Sequence, residues 1–170
     1  MMRGGQPEAM KKIEIEGLPN AYDVDGKVWR SGQPSDSAWP LLKAAGVYGV
    51  IDLNNTGSVK DLQLKLAESV NINYFGLDWS GLLPPSQHSI YKAILLLDEL
   101  TKQGITLIHC EHGSDRTGTL CACWRMQHDG WDFDDAMGEA FFSLGFQGLH
   151  EFWMAAAAAE FWDSLKREQE

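Results

Sequence analysis

The residues best suited to chemistry are gathered in one short stretch, Ile108-His109-Cys110-Glu111-His112-Gly113-Ser114-Asp115-Arg116-Thr117-Gly118. An apolar run ends in a cysteine, a loop closes on an arginine, and a helical pattern begins. Successive backbone N–H groups in such a loop can all point inward and cradle an anion. The start of the following helix adds unpaired donors and the positive end of its dipole. Arg116 offers a planar fork that matches two oxygens of a phosphate, and Gly113 permits close backbone approach or a positive φ. The same surroundings favour the thiolate form of Cys110. A thiolate within reach of phosphorus can attack it in line, while the N–H groups and Arg116 stabilise charge on the equatorial oxygens. Thr117 is placed to hydrogen-bond the Cys110 sulfur and help it leave. His109 is expected to order the loop from below. Glu111, His112, Gly113, Ser114, Asp115 and Arg116 form the expected substrate-binding set.

The rest of the chain must hold this stretch in place. Residues 1–10 are expected to form a flexible tail and residues 11–170 a single domain. Lys11 to Ile15 and Val28-Trp29 suit short strands. A helix is expected to start near Ser35 or Asp36, either of which can cap it, and to stop at Gly46. Val47 to Leu53 reads as a buried strand, Lys60 to Ser69 as a helix, and Ile72 to Leu77 as a strand. Asp78 to Pro85 is a loop. Ser86 to Lys102 is a strong helix, because Ile90, Ile94 and Leu97 recur on one face. Ile105 to His109 is a β-branched strand, Cys110 to Arg116 the loop, and Thr117 to His128 a helix. Two more helices fill Asp132 to Leu144 and Leu149 to Arg167. Strands alternating with helices predict an α/β fold: a central, mostly parallel sheet flanked by helices, with a helical C-terminal third. Ligands sit at the carboxyl ends of strands in such sheets, which is where Cys110 falls.

The stretch from His109 to Gly118 resembles the signature of the protein tyrosine and dual-specificity phosphatase superfamily: His-Cys, five residues, then Arg and Thr. The segment Val28-Trp29-Arg30-Ser31-Gly32-Gln33-Pro34, ahead of Val50-Ile51-Asp52-Leu53, also looks like small bacterial dual-specificity enzymes, and the resemblance runs from about Gly17 to Gly148. It implies a protein tyrosine phosphatase-like fold and hydrolysis of a phosphorylated protein or small phosphoester through phosphocysteine. It also implies an acidic residue on a loop roughly 30 residues before the cysteine, to protonate the leaving oxygen. Asp78 has that placement, although its prolines, Pro84 and Pro85, follow later than is usual. Asp115 is the rival acid. Gln147 is a candidate for positioning water, and Arg30 is expected to brace the fold. The alternatives are an inositol phosphate or phosphoinositide phosphatase, and a phosphate-binding pseudophosphatase. Glu111 and Asp115 disfavour highly charged substrates. Sulfurtransferases with a cysteine cradle typically have a shorter loop without the Arg-Thr-Gly ending.

Composition narrows the partners. The 170 residues carry a formal net charge of -10, and the basic residues are scattered, so neither nucleic acid nor an anionic membrane is an expected partner. No apolar run has the length of a signal or a membrane span. The three cysteines suit reduced thiols in a cytoplasm. Cys121 and Cys123 lie on different faces of one helix and are expected to be core. His109, Cys110 and His112 have loose spacing and no fourth ligand, so no metal site is expected, and no cofactor is needed. Phe141, Phe142, Phe146, Phe152, Trp153, Phe161 and Trp162 are expected to pack the last helices. Oligomeric state is not legible.

Overall fold

The computed structural model describes residues 8–54, 57–141 and 150–169. Among the described residues six strands form one sheet. In chain order they are β1 (Lys11–Lys12), β2 (Tyr22–Asp23), β3 (Val28–Ser31), β4 (Val47–Asp52), β5 (Asn73–Gly76) and β6 (Ile105–His109). Their spatial order is β1-β2-β3-β6-β4-β5. The four strands β3, β6, β4 and β5 are mutually parallel, and β1 and β2 add an antiparallel edge. The sheet is therefore mostly parallel, with helices on both faces. Strand β6 lies inside it, flanked by β3 and β4, so the chemistry-bearing loop leaves from the middle of the sheet.

Period-two alternation explains the two cores. Val50 and Leu107 point to one face, where they meet Trp39 and Leu42 of α1 (Ala38–Ala44) and Ala67 of α2 (Gly57–Ser69). Ile51 and Ile108 point to the other. There they meet Ile90, Ile94 and Leu97 of α3 (Gln87–Thr101) and Leu120 of α4 (Asp115–Trp124). Helices α5 (Phe133–Phe141) and α6 (His150–Glu168) close this second core through Ala140 and Phe161. Ser86 caps α3, its hydroxyl accepting from the Ser89 N–H at 3.1 Å.

Several boundaries differ from expectation. The first strand is only two residues long. Helix α1 begins at Ala38 after Ser37, which makes no side-chain cap bond; Ser35 and Ser37 bond each other at 3.0 Å. Helix α4 starts at Asp115, two residues earlier than expected, after Ser114, which makes no side-chain cap bond. It then widens into a π-turn at Arg125–Asp129, ended by Gly130 at φ 68°. Trp153 is 54% exposed, so it is not core, whereas Phe141 and Phe161 are buried and Trp162 is partly so. Phe142, Phe146, Gln147 and the Phe152 side chain lie outside the described residues, as does the expected tail up to residue 7. Glu8 and Met10 are tied down at the tail's inner end. The Glu8 carbonyl accepts from Arg125 Nη2 at 3.0 Å, and the Met10 N–H donates to Glu139 at 3.0 Å.

Arg125 explains the π-turn. Its guanidinium meets both oxygens of Glu139 at 2.8 and 2.9 Å and Asp129 at 2.7 Å. It lies 4.2 Å from the centroid of the Trp131 ring. Arg125→Met strands the Glu139 carboxylate without its cation, and breaking a buried pair in this way costs about 3 kcal/mol. Urea denaturation should show a correspondingly lower midpoint.

Candidate active site

The loop after β6 is shaped by what holds its carbonyl groups. The Glu111 carbonyl accepts from the Gln33 N–H at 3.0 Å, the His112 carbonyl from Asn20 Nδ2 at 3.1 Å, and the Gly113 carbonyl from Arg30 Nη2 at 2.9 Å. Three consecutive peptide oxygens are thus held on the outer side of the loop. On the inner side the Gly113 N–H donates to the Cys110 sulfur at 3.3 Å. Gly113 has φ +76°, and a Cβ there would lie 2.5 Å from the Gly32 nitrogen. Gly32 is tight but less confined, since a Cβ there would meet the carbonyl oxygens of His112 and Glu111 at 3.1 and 3.2 Å. The segment from Arg30 to Gln33 is therefore the mould of the loop.

Cys110 is buried, as are Arg116 and Thr117. Arg116 Nη1 donates to the Trp79 carbonyl at 3.2 Å, and a Cβ on Gly81 would lie 3.7 Å from the guanidinium carbon. The loop after β5 therefore lies against the arginine, with Trp79 as a buried plug whose N–H donates to Leu53 O at 3.1 Å. Ser114 makes no side-chain bond to the first turn of α4, which leaves that turn's N–H groups available to an anion. Thr117 differs from expectation: its buried hydroxyl has no hydrogen-bond partner, so the anticipated bond to the cysteine sulfur is not formed. Glu111 and His112 expose their side chains at the rim, 3.8 Å apart. Asp115 lies in the first turn of α4, where its carbonyl accepts from Thr119 Oγ1 at 2.8 Å.

Asp78 is not brought to the loop. Its backbone is left-handed at φ 52°, its side chain is 64% exposed, and its carboxylate pairs with Lys60 of α2. The end of the Lys60 side chain passes over Gly76, where a Cβ would sit 2.5 Å from Lys60 Cε.

Beneath the loop, His109 is fully buried. Its Nδ1 lies 3.3 Å from the Cys110 carbonyl oxygen and 3.8 Å from Asp52 Oδ1. The Asp52 carboxylate is itself buried and accepts from the Asn54 N–H at 2.8 Å and the Tyr74 hydroxyl at 2.5 Å. Burial pushes the His109 pKa below its ordinary 6.5, outweighing the opposing pull of Asp52. His109 is thus a neutral strut. Burial pushes the Cys121 thiol up to about 11 and that of Cys123 higher still, which fits core packing. Among the described residues no cluster of three or more His, Cys, Asp or Glu side chains is placed to hold a metal ion.

Residues 11–148 match the family model described as "DSP-PTPase phosphatase fused to NAD+ Kinase". The chain belongs to this phosphatase family. Among curated relatives it is 30% identical to an inositol diphosphatase, DSP5, of Arabidopsis thaliana over 63% of this chain and 53% of that protein. It is 24% identical to the dual specificity protein phosphatase TpbA of Pseudomonas aeruginosa over 71% of this chain and 52% of the relative. The chain thus spans about half the length of these two relatives. The crystal structure of P. aeruginosa TpbA superposes with a TM-score of 0.75 at 18% identity, covering 94% of this chain and 98% of that one. A form of TpbA with a cysteine-to-serine change, in complex with pTyr, gives 0.73 at 18% identity over 94% and 97%. These superpositions establish that the chain has the fold of TpbA.

Sequence reasoning missed Asn20 and Gln33 as holders of the loop. The only hint was the turn chemistry of Pro19-Asn20 and Gln33-Pro34. Two measurements follow. Gly113→Ala forces a Cβ into the Ser31–Gly32 backbone and should weaken vanadate binding more than about 100-fold, as read by isothermal titration. His109 also makes a sign-definite contribution to stability. Its folded pKa is depressed, so the unfolded chain takes up a proton below pH 6.5 that the native imidazole refuses. The contribution is complete above that pH and is lost as pH falls below it. His109→Asn should flatten the pH dependence of the urea midpoint between about pH 7.5 and 5.

Proposed function

We propose that this chain hydrolyses phosphomonoesters through a phosphocysteine, as a dual-specificity-type protein phosphatase. The observation that carries this reading is the outward pinning of three loop carbonyls while the Gly113 N–H faces the Cys110 sulfur at 3.3 Å. A phosphate seated in that loop has the sulfur behind its phosphorus, N–H donors around its equatorial oxygens, and Arg116 as a two-pronged clamp. Cys110 attacks phosphorus as the ester P–O bond breaks, and the leaving oxygen takes a proton from a carboxylic acid. Water then cleaves the S–P bond, releasing phosphate, with Thr117 donating to the departing sulfur. For both Arg116 and Thr117 this requires a side-chain adjustment on binding: Arg116 must turn from Trp79, and Thr117 must turn its unpaired hydroxyl to Cys110.

Asp78 is the proposed acid, acting after its loop releases Lys60. Asp115, one residue before the clamp, is the competing candidate. The leaving group decides between them. An acid is required for phenyl phosphate and nearly dispensable for p-nitrophenyl phosphate, whose leaving oxygen needs little protonation. The true acid's Asn variant should lose about 100-fold more kcat on phenyl phosphate than on p-nitrophenyl phosphate, and the other variant should lose both equally.

Substrates are phosphorylated proteins in this reading, and a reducing cytoplasm suits the three free thiols. The complex of TpbA with pTyr supports it. An inositol polyphosphate is the second reading, favoured by the likeness to DSP5. The exposed Glu111 carboxylate at the rim opposes it. The deciding assay is hydrolysis of p-nitrophenyl phosphate at about pH 6 with a chelator present. The native chain should turn over, and Cys110→Ser should lose at least about 1,000-fold in kcat. Equal rates for the two proteins would refute the mechanism.

A further inference from the structure

Arg30 is among the most deeply buried side chains of the molecule, 1% exposed, and it lies in the mould of the loop. Its partners are two backbone oxygens, Gly113 O at 2.9 Å and Ala140 O at 3.3 Å, and its Nε has none. Among the described residues the ion pairs made by arginine belong to Arg125. Among the described residues, therefore, no carboxylate lies within ion-pairing distance of the buried Arg30 guanidinium. Its ionisable neighbour Cys121 does not neutralise it, because burial keeps that thiol protonated. His109, on the adjacent strand, is neutral. Arg116 repeats the pattern, with the Trp79 carbonyl as its partner.

An uncompensated buried cation weakens a fold. A brace alone needs only a donor for Gly113 O, which a neutral amide can supply. The charge requires a different explanation, and the anion-binding loop it touches provides one. We infer that Arg30 is a positioning residue of the site that holds the Gly113 carbonyl outward and lends the loop a second positive charge. The Cys110 sulfur and the oxygens of the bound phosphate serve as its counter-ions. The inference rests on the phosphatase reading above. It assigns to the Val28–Pro34 segment an electrostatic part in anion binding as well as a structural one.

The test compares Arg30→Gln, which keeps a donor but no charge, with Arg30→Lys, which keeps the charge but not the fork. Three quantities are read for each folded protein: vanadate affinity, the rate of Cys110 alkylation by iodoacetate, and the thermal midpoint without anion. Arg30→Gln should lower affinity and alkylation rate about tenfold each, and Arg30→Lys should recover most of both. The glutamine protein should melt within a few degrees of native or above it, since a lone buried charge has been removed. An amide variant with native affinity and alkylation would overturn the inference. So would one that unfolds or melts far lower, which would make Arg30 a structural residue only. A native protein that neither binds vanadate nor is alkylated at Cys110 would bring down the phosphatase reading itself, whereas a normal native protein with an indifferent glutamine variant removes the Arg30 role alone.

Discussion

The contact of Gly113 with the Ser31–Gly32 backbone is the constraint on which the site depends. Two peptide segments meet there without a side chain between them, and a Cβ on Gly113 would lie within 2.5–2.6 Å of three backbone atoms. The approach is possible because β3 and β6 are parallel neighbours with Ser31 opposite His109. Both chains leave the sheet at the same level, and the two loops continue side by side. Once they touch, the carbonyls of the second loop find donors on Gln33, Arg30 and Asn20, and the Gly113 N–H is left facing the Cys110 sulfur. The geometry suited to an anion is thus a by-product of hydrogen-bond satisfaction between loops, fixed before any ligand arrives.

Strand order supplies the other half. Because β6 has β4 on its far side, with Asp52 opposite His109, the same strand end is buttressed twice. The β3 side holds the loop through backbone contacts and Arg30. The β4 side holds the strand end through Asp52, Asn54 and Tyr74. His109 stands between them, neutral and buried, touching the Cys110 carbonyl. Neither buttress uses flexible surface side chains, so little conformational entropy opposes the ordered loop.

The parts of this arrangement that were legible in the sequence are those written in local patterns. The apolar runs at Val47 to Leu53 and Ile105 to His109, the face of Ile90, Ile94 and Leu97, and the glycine between Cys110 and Arg116 each announce an element. Strand β1 falls within the strand expected at Lys11 to Ile15 but is shorter, whereas β2 carries no such pattern, being defined by pairing alone, and the antiparallel edge was not foreseen. Asn20 and Gln33 were invisible for a related reason: their partners are backbone groups some 80 to 90 positions away. Asp78 shows the limit of spacing arguments. Its position in the chain matches that of an acid, yet a left-handed backbone and Lys60 turn its carboxylate toward α2. The end of the Lys60 side chain reaches the carboxylate across Gly76.

The buried arginines show how charge is distributed. Arg125 and Arg30 both reach the end of α5, at Glu139 and Ala140. Arg125 is met by carboxylates, while Arg30, one residue further along α5, is met by a carbonyl. In a chain with a net charge of -10, acidic residues are not scarce, so the lack of one beside Arg30 is not a matter of composition. Among the described residues, carboxylates pair with the arginine that joins π-turn to helix and lie beyond ion-pairing distance of Arg30 and Arg116. A carboxylate at either would cancel the field acting on the sulfur and on an incoming oxyanion. The same physics that makes Arg125 a stabilising joint makes Arg30 and Arg116 reservoirs of positive potential, and the difference between them lies wholly in what each guanidinium is allowed to touch.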